Sequence, residues 1–155
     1  MGLGMAQIAL RKEAYEDAYR LFAKAYAQFQ IAEYTPGEAI CLEGFSNLAI
    51  ARRDDNAAKE ILEKARVLYK DNNMLIGEAN VMYHLAHISI RLKNDEEAIS
   101  LLKGAIMIYE QAESPFGKAN CMTVLSYIYE QQGFSDMAYK YLMEATQLYQ
   151  QSAHS

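Results

Sequence analysis

The chain has 155 residues, 52% apolar and 23% charged, with a net charge of −5, twelve Tyr, eight Met and no Trp. That balance excludes wholesale disorder and suffices for one buried core. The acidic excess, with no basic cluster longer than Arg52-Arg53, excludes the electrostatic footprint of a nucleic-acid binder.

The opening stretch MGLGMAQIALRKEAYEDAY has no basic leader region and meets Arg11, Lys12 and Glu13 early, unlike a signal peptide. Ala6 stands where a myristoylation motif needs Ser or Thr. No uncharged apolar run approaches the roughly 18 residues that a membrane span requires. A cytoplasmic protein with no membrane and no nucleic-acid partner is expected. Only two Pro and eight Gly interrupt the chain, which favours helices over strands.

The dominant pattern is a phrase written three times. GEAICLEG starts at Gly37, GEANVMYH at Gly77 and GKANCMTV at Gly117, each 40 residues after the last. Numbered from that Gly, the copies 37–76, 77–116 and 117–155 align without a gap. Position 3 is Ala39, Ala79 and Ala119. Position 9 is Phe45, Leu85 and Leu125, followed at 10 by Ser46, Ala86 and Ser126. Position 22 is Ala58, Ala98 and Ala138, position 26 is Leu62, Leu102 and Leu142, position 29 is Ala65, Ala105 and Ala145, and position 33 is Tyr69, Tyr109 and Tyr149. Read backwards, the last four columns continue as Ala18, Phe22, Ala25 and Phe29. A fixed period with size conserved at fixed columns is the mark of a helical solenoid.

In chain order, each unit reads as two helices, from about position 3 to 15 and from about 19 to 34, by apolar spacing of three and four. Turn signals separate them: RRDDN at 52–56, LKNDEE at 92–97 and QQGFSD at 131–136. Asn94 with Glu97 predicts a capping box, and Gly133 a helix end. Between units stand YTPG (34–37), DNNMLIG (71–77) and ESPFG (113–117), in which Pro36 and Pro115 are expected to stop a helix. One domain over 1–155 is expected, with repeats near 1–36, 37–76, 77–116 and 117–151 and a polar tail at 152–155.

A small residue at 10, Ala at 22, a bulky residue at 26 and Ala at 29 resemble the tetratricopeptide repeat, in a 40-residue extended form. The usual Pro after its second helix is replaced by Lys70, Glu110 and Gln150. The resemblance implies an all-α, right-handed α-solenoid of about four helix-turn-helix repeats. It also implies that positions 4, 7, 11, 14 and 15 line a groove, where an extended or helical peptide would meet Asn47, Asn80, Tyr83, His87, Arg91, Asn120 and Tyr127. Asn can donate to and accept from a peptide backbone, and Tyr offers contact area at low entropy cost. Further residues of those columns are Leu3, Gln7, Leu10 and Arg11. The carboxylate clamp of some family members needs Lys at position 7, and no unit supplies one.

Nothing convergent suggests catalysis. His84 and His87 sit three apart without a third metal ligand in register, Asp95, Glu96 and Glu97 suit a helix start, and no phosphate loop or nucleophile elbow occurs. No enzyme, cofactor or metal is expected. Cys41 and Cys121 share a repeat position two units apart, beyond disulfide reach, and read as small core residues. In this sequence only a short polar tail follows the last repeat, so Met137, Tyr141 and Leu148 are expected to form an apolar patch suited to self-association, the alternative being a fragment of a longer array. The expectation is therefore a non-enzymatic scaffold for a protein or peptide partner. The alternatives are a self-assembling homo-oligomer joined through the last helix, and a sensor of a signalling peptide.

Overall fold

The computed structural model describes residues 14–154. Ala6, Leu3, Gln7, Leu10 and Arg11, named above, lie outside the described residues, as does the side chain of His154. Seven helices are present among the described residues: α1 Tyr15–Ile31, α2 Thr35–Ala51, α3 Asp55–Asp71, α4 Leu75–Arg91, α5 Asp95–Gln111, α6 Pro115–Gln131 and α7 Ser135–His154. The first six are each 17 residues long and α7 is 20. The 40-residue repeat is thus two equal halves of 20, each one helix and a three-residue turn.

The contacts gather into two compact units, one ending at Asn73 and one starting at Met74. The first packs α1 on α2 and α2 on α3; the second packs α4 on α5, α5 on α6 and α6 on α7. In both units the repeated columns form the core. Ala18, Ala39, Ala58, Ala65, Ala79, Ala98, Ala105, Ala119 and Ala145 are fully buried. They are small because helix axes lie about 8–10 Å apart, and a larger side chain would separate them.

The turns share one construction. Glu33, Arg53, Asn73, Lys93, Glu113 and Gly133 recur every 20 residues, all in the left-handed region at φ between 54° and 87°. At five of the turns two backbone bonds close the helix end. In the α4–α5 turn, for example, Lys93 N–H donates to Ile90 at 3.0 Å and Asn94 N–H to Ser89 at 2.8 Å. This is the Schellman pattern, which satisfies the last carbonyls of a helix. Gly133 fits as expected; the side chains at the other positions are carried in a conformation that favours glycine.

Three expectations need correction. Pro36 and Pro115 do not stop helices: they stand in the first turns of α2 and α6. Proline is welcome there because its missing N–H has no intrahelical partner and its φ is already helical. The linkers are therefore shorter and earlier than read, at 32–34, 72–74 and 112–114. The expected tail is also helical, because α7 continues to His154. Finally, Asn94 caps α5 through both halves of its carboxamide. Its Oδ1 accepts from Glu97 N–H at 3.2 Å and its Nδ2 donates to the Glu97 carboxylate at 2.8 Å, while its own N–H serves the preceding turn.

The glycines that open the first and third phrases, Gly37 and Gly117, have a packing role. A Cβ on Gly37 would stand 2.5 Å from the Phe29 ring, and one on Gly117 2.4 Å from the Tyr109 ring. At these two junctions the aromatic residue, Phe29 or Tyr109, thus lies on the first turn of the next helix, and only a bare backbone leaves room.

Candidate protein-interaction face

The candidate face belongs to the second unit. Asn80, Tyr83, His87 and Arg91 follow one another at spacings of three and four along α4, which puts them on one face of that helix. On α6 the same repeat positions carry Asn120, Thr123 and Tyr127. Tyr127 is 58% exposed, Tyr83 and His87 are half-buried, and Asn80 and Arg91 are exposed. Asn47 is exposed on α2, in the first unit.

A hydrogen-bond device absent from the sequence reading organises this face. The Tyr149 hydroxyl donates to Asn120 Oδ1 at 2.6 Å and lies 3.3 Å from Thr123 Oγ1. The Tyr109 hydroxyl likewise donates to Asn80 Oδ1. In the first unit the Tyr69 hydroxyl donates to the Glu43 carboxylate at 2.9 Å. Each position-33 Tyr therefore ties the second helix of its repeat to position 4 or 7 of the first. The pairing was detectable as a Tyr column matched by polar residues 26 or 29 positions earlier. Its consequence for the face is chemical: with the carboxamide oxygens committed, Asn80 and Asn120 offer a partner their Nδ2 donors.

Aromatic and electrostatic details follow from the same packing. The His87 ring meets the Tyr83 ring edge-on at 4.7 Å. Burial, reinforced by His84 and Arg91, pushes the His87 pKa below its ordinary value, which favours the neutral ring. Burial pushes the Tyr83 and Tyr109 hydroxyls up, as it does Tyr69, where the Glu43 carboxylate adds to it. These phenols are hydrogen-bonding groups and not acids at neutral pH. Cys121 is buried, with its thiol pushed up to about 12 by desolvation, and Cys41 is buried as well; both are free thiols. Among the described residues, no group of three or more His, Cys, Asp or Glu could hold a metal ion. Among them, too, no helix is long and apolar enough to cross a membrane.

The residues expected to drive self-association are distributed differently. Tyr141 stacks on Tyr129 with ring centroids 5.7 Å apart, and Leu148 packs on the core cluster of Ala119, Met122 and Ala145. Met137 and Tyr141 face a cleft shared with α5 and α6. Tyr141 and Leu148 thus turn toward the rest of their own unit, while Met137 remains 44% exposed at the edge of the cleft. Leu142 is exposed as well, at 47%, although its repeat equivalents Leu62 and Leu102 are at most 1% exposed. Tyr139 and Met143 are exposed beside it in the chain.

The family model for the tetratricopeptide repeat matches residues 79–112 and 119–152, both within the second unit. Each match begins at position 3, so the six additional residues of the 40-residue period are the turn and the first helical residues that precede it. Solved structures similar in fold include aspartyl phosphate phosphatase F of Bacillus subtilis, with a TM-score of 0.90 at 16% identity over 98% of this chain and 40% of that one. BtubC from P. vanneervenii gives 0.84 at 17% identity, over 94% of this chain and 60% of that one. MamA gives 0.72 at 19% identity, over 99% and 80%. The chain thus spans 60% or less of the length of the first two, and at these identities the likeness is one of fold. No curated protein sequence matches the chain. Repeat columns, helix pairing and family match agree that residues 79–112 and 119–152 are tetratricopeptide repeats, set on a period of 40 residues.

Proposed function

We propose that this chain is a non-enzymatic interaction module whose second unit binds a peptide segment of a protein partner on α4 and α6. The observation that carries this reading is the tethering of Asn80 and Asn120 by Tyr109 and Tyr149. A carboxamide held by a phenol has already lost rotamer freedom, so a peptide carbonyl that accepts from Nδ2 does not pay that entropy again. Tyr83, His87 and Tyr127 supply contact area beside these donors, and Arg91 adds charge at the end of α4. Asn47 holds in the first unit the repeat position that His87 and Tyr127 hold in the second.

The test starts from a displayed peptide library selected on the immobilised chain. Affinity of the selected peptide is then measured by calorimetry for wild type and for Asn80→Ala with Asn120→Ala. Losing two hydrogen bonds of about 1 kcal/mol each lowers affinity roughly 30-fold, with helicity by circular dichroism unchanged. Equal affinity in the double variant would place the peptide elsewhere.

A second reading, self-association through α7, is favoured by the exposure of Leu142 where its equivalents are buried. Light scattering over a range of concentrations separates the two readings. An oligomer that Leu142→Glu reduces to monomer supports the second; a monomer at all concentrations removes it.

A further inference from the structure

The first unit contains a cleft of about 580 Å³ between α1 and α3, floored by α2. Its walls are aromatic. The Tyr19 ring, 55% exposed, lies 5.2 Å from Phe45, and Tyr26 meets the same Phe45 edge-on at 6.0 Å. Phe45 is only half-buried, whereas Leu85 and Leu125 at the same repeat position are at most 1% exposed. The unit thus presents aromatic surface to solvent where the other repeats bury an aliphatic side chain.

Charge at the rim is net positive. Arg52 and Lys64 line the cleft, and neither has an acidic partner among the described residues. The acid lining it, Asp54, is used as the cap of α3, accepting from Ala57 N–H at 3.1 Å. Nearby, Arg20 is paired with Asp17. The equivalent cleft of the second unit, of about 750 Å³, is the internal comparison. There Lys118 is paired with Glu110 at 2.8 Å, and Asp136 and Glu144 balance Lys103 and Lys140. Overlapping sets of repeat positions therefore build one neutral cleft and one that is aromatic and net cationic.

We infer that the cleft between α1 and α3 is a second docking site, for an acidic segment of a partner protein that places aromatic or leucine side chains against Tyr19, Tyr26 and Phe45. Carboxylates flanking those anchors meet Arg52 and Lys64. The guanidinium can hold a carboxylate bidentately, and Tyr and Phe faces accept apolar side chains without a buried polar cost. The site uses none of the α4 and α6 residues assigned above, so it stands or falls independently of that assignment.

The probe is a synthetic 12-residue peptide alternating Glu or Asp with Leu and Phe, titrated into the full chain labelled with nitrogen-15. Amide signals of Ala23, Ala49, Ala57 and Ile61 are expected to shift together. Arg52→Gln with Lys64→Gln is expected to weaken binding at least tenfold, as is raising the salt from 50 to 500 mM. Tyr19→Ala, a change at an exposed side chain, is expected to weaken binding independently of charge. Equal binding of a peptide with Lys in place of every acid would overturn the inference. So would an unchanged affinity in the Arg52 and Lys64 variant, or phenylacetate binding as tightly as the peptide. Shifts confined to Tyr83 and Asn120 would also overturn it, while leaving the proposed peptide site on α4 and α6 standing.

Discussion

Replacing Gly117 by Ala tests the packing logic of the repeat most directly. Elsewhere in a helix the exchange stabilises by up to about 1 kcal/mol, because Gly is the poorer helix former. At Gly117 the new Cβ would stand 2.4 Å from Tyr109 Cε1, 2.5 Å from Cδ1 and 2.7 Å from Cζ, where ordinary contact begins at 3.4 Å. The ring must therefore retreat by about 1 Å, but it is 4% exposed and its hydroxyl is held by Asn80. Overpacking of this kind costs about 1–3 kcal/mol, and loss of the Tyr109 hydrogen bond adds about 1 kcal/mol. Because Gly117 lies in the first turn of α6, the propensity gain offsets only part of this, leaving a net loss of about 2 kcal/mol. For a chain of this size that lowers Tm by roughly 4–8 °C.

The matching control is Gly104→Ala, where the new Cβ meets only the terminal methyl of Met82 at 2.8 Å. A methionine end can rotate away, so this variant should be neutral or up to about 1 kcal/mol more stable. Denaturant unfolding of both, and of Gly117→Ala in a Tyr109→Ala background, completes the measurement. In that background the clash has no ring to meet, and the cost of the Gly117 exchange should vanish. A Gly117→Ala variant as stable as wild type would refute the seat, as would a cost that persists without Tyr109.

Lys93 holds φ at 64° in the turn between α4 and α5, so Lys93→Gly should stabilise by about 0.5–1 kcal/mol, a rise of roughly 1–4 °C in Tm measured by calorimetry. A decrease would mean that the lysine side chain contributes more than its backbone costs. His87 carries a pH dependence. Its folded pKa lies below the unfolded value near 6.5, so the unfolded chain binds the proton more readily, and the stability from neutral His87 is complete above about pH 6.5. That stability is lost as the pH falls from there through the lower folded value. Urea unfolding of wild type and His87→Gln should therefore converge as pH drops from 7 to 5; parallel curves would exclude His87 as a source of acid sensitivity.

Much of the fold was legible because the signal was local and repeated. Ala at positions 3, 22 and 29 records how closely two helices cross, and that distance is the same in every copy. The helix boundaries were harder because Pro36 and Pro115 carry two meanings, end and beginning, which differ only in where the preceding turn closes. That closure rests on backbone bonds at Tyr34 and Ser114, which donate to Phe29 and Tyr109 at 2.9 and 2.8 Å, and side-chain type does not announce it.

What the sequence by itself determined is the period, the helix pairs and the small-residue columns, since each depends on spacing along one chain. Tertiary structure alone decided how those columns are used. It brought the Tyr149 hydroxyl to Asn120 across 29 residues. It turned Tyr141 and Leu148 inward while leaving Leu142 exposed. It also opened an aromatic cleft around Phe45 that is lined by Arg52 and Lys64. Each of these depends on which face a neighbouring helix covers, a property of packing between segments and not of any segment alone.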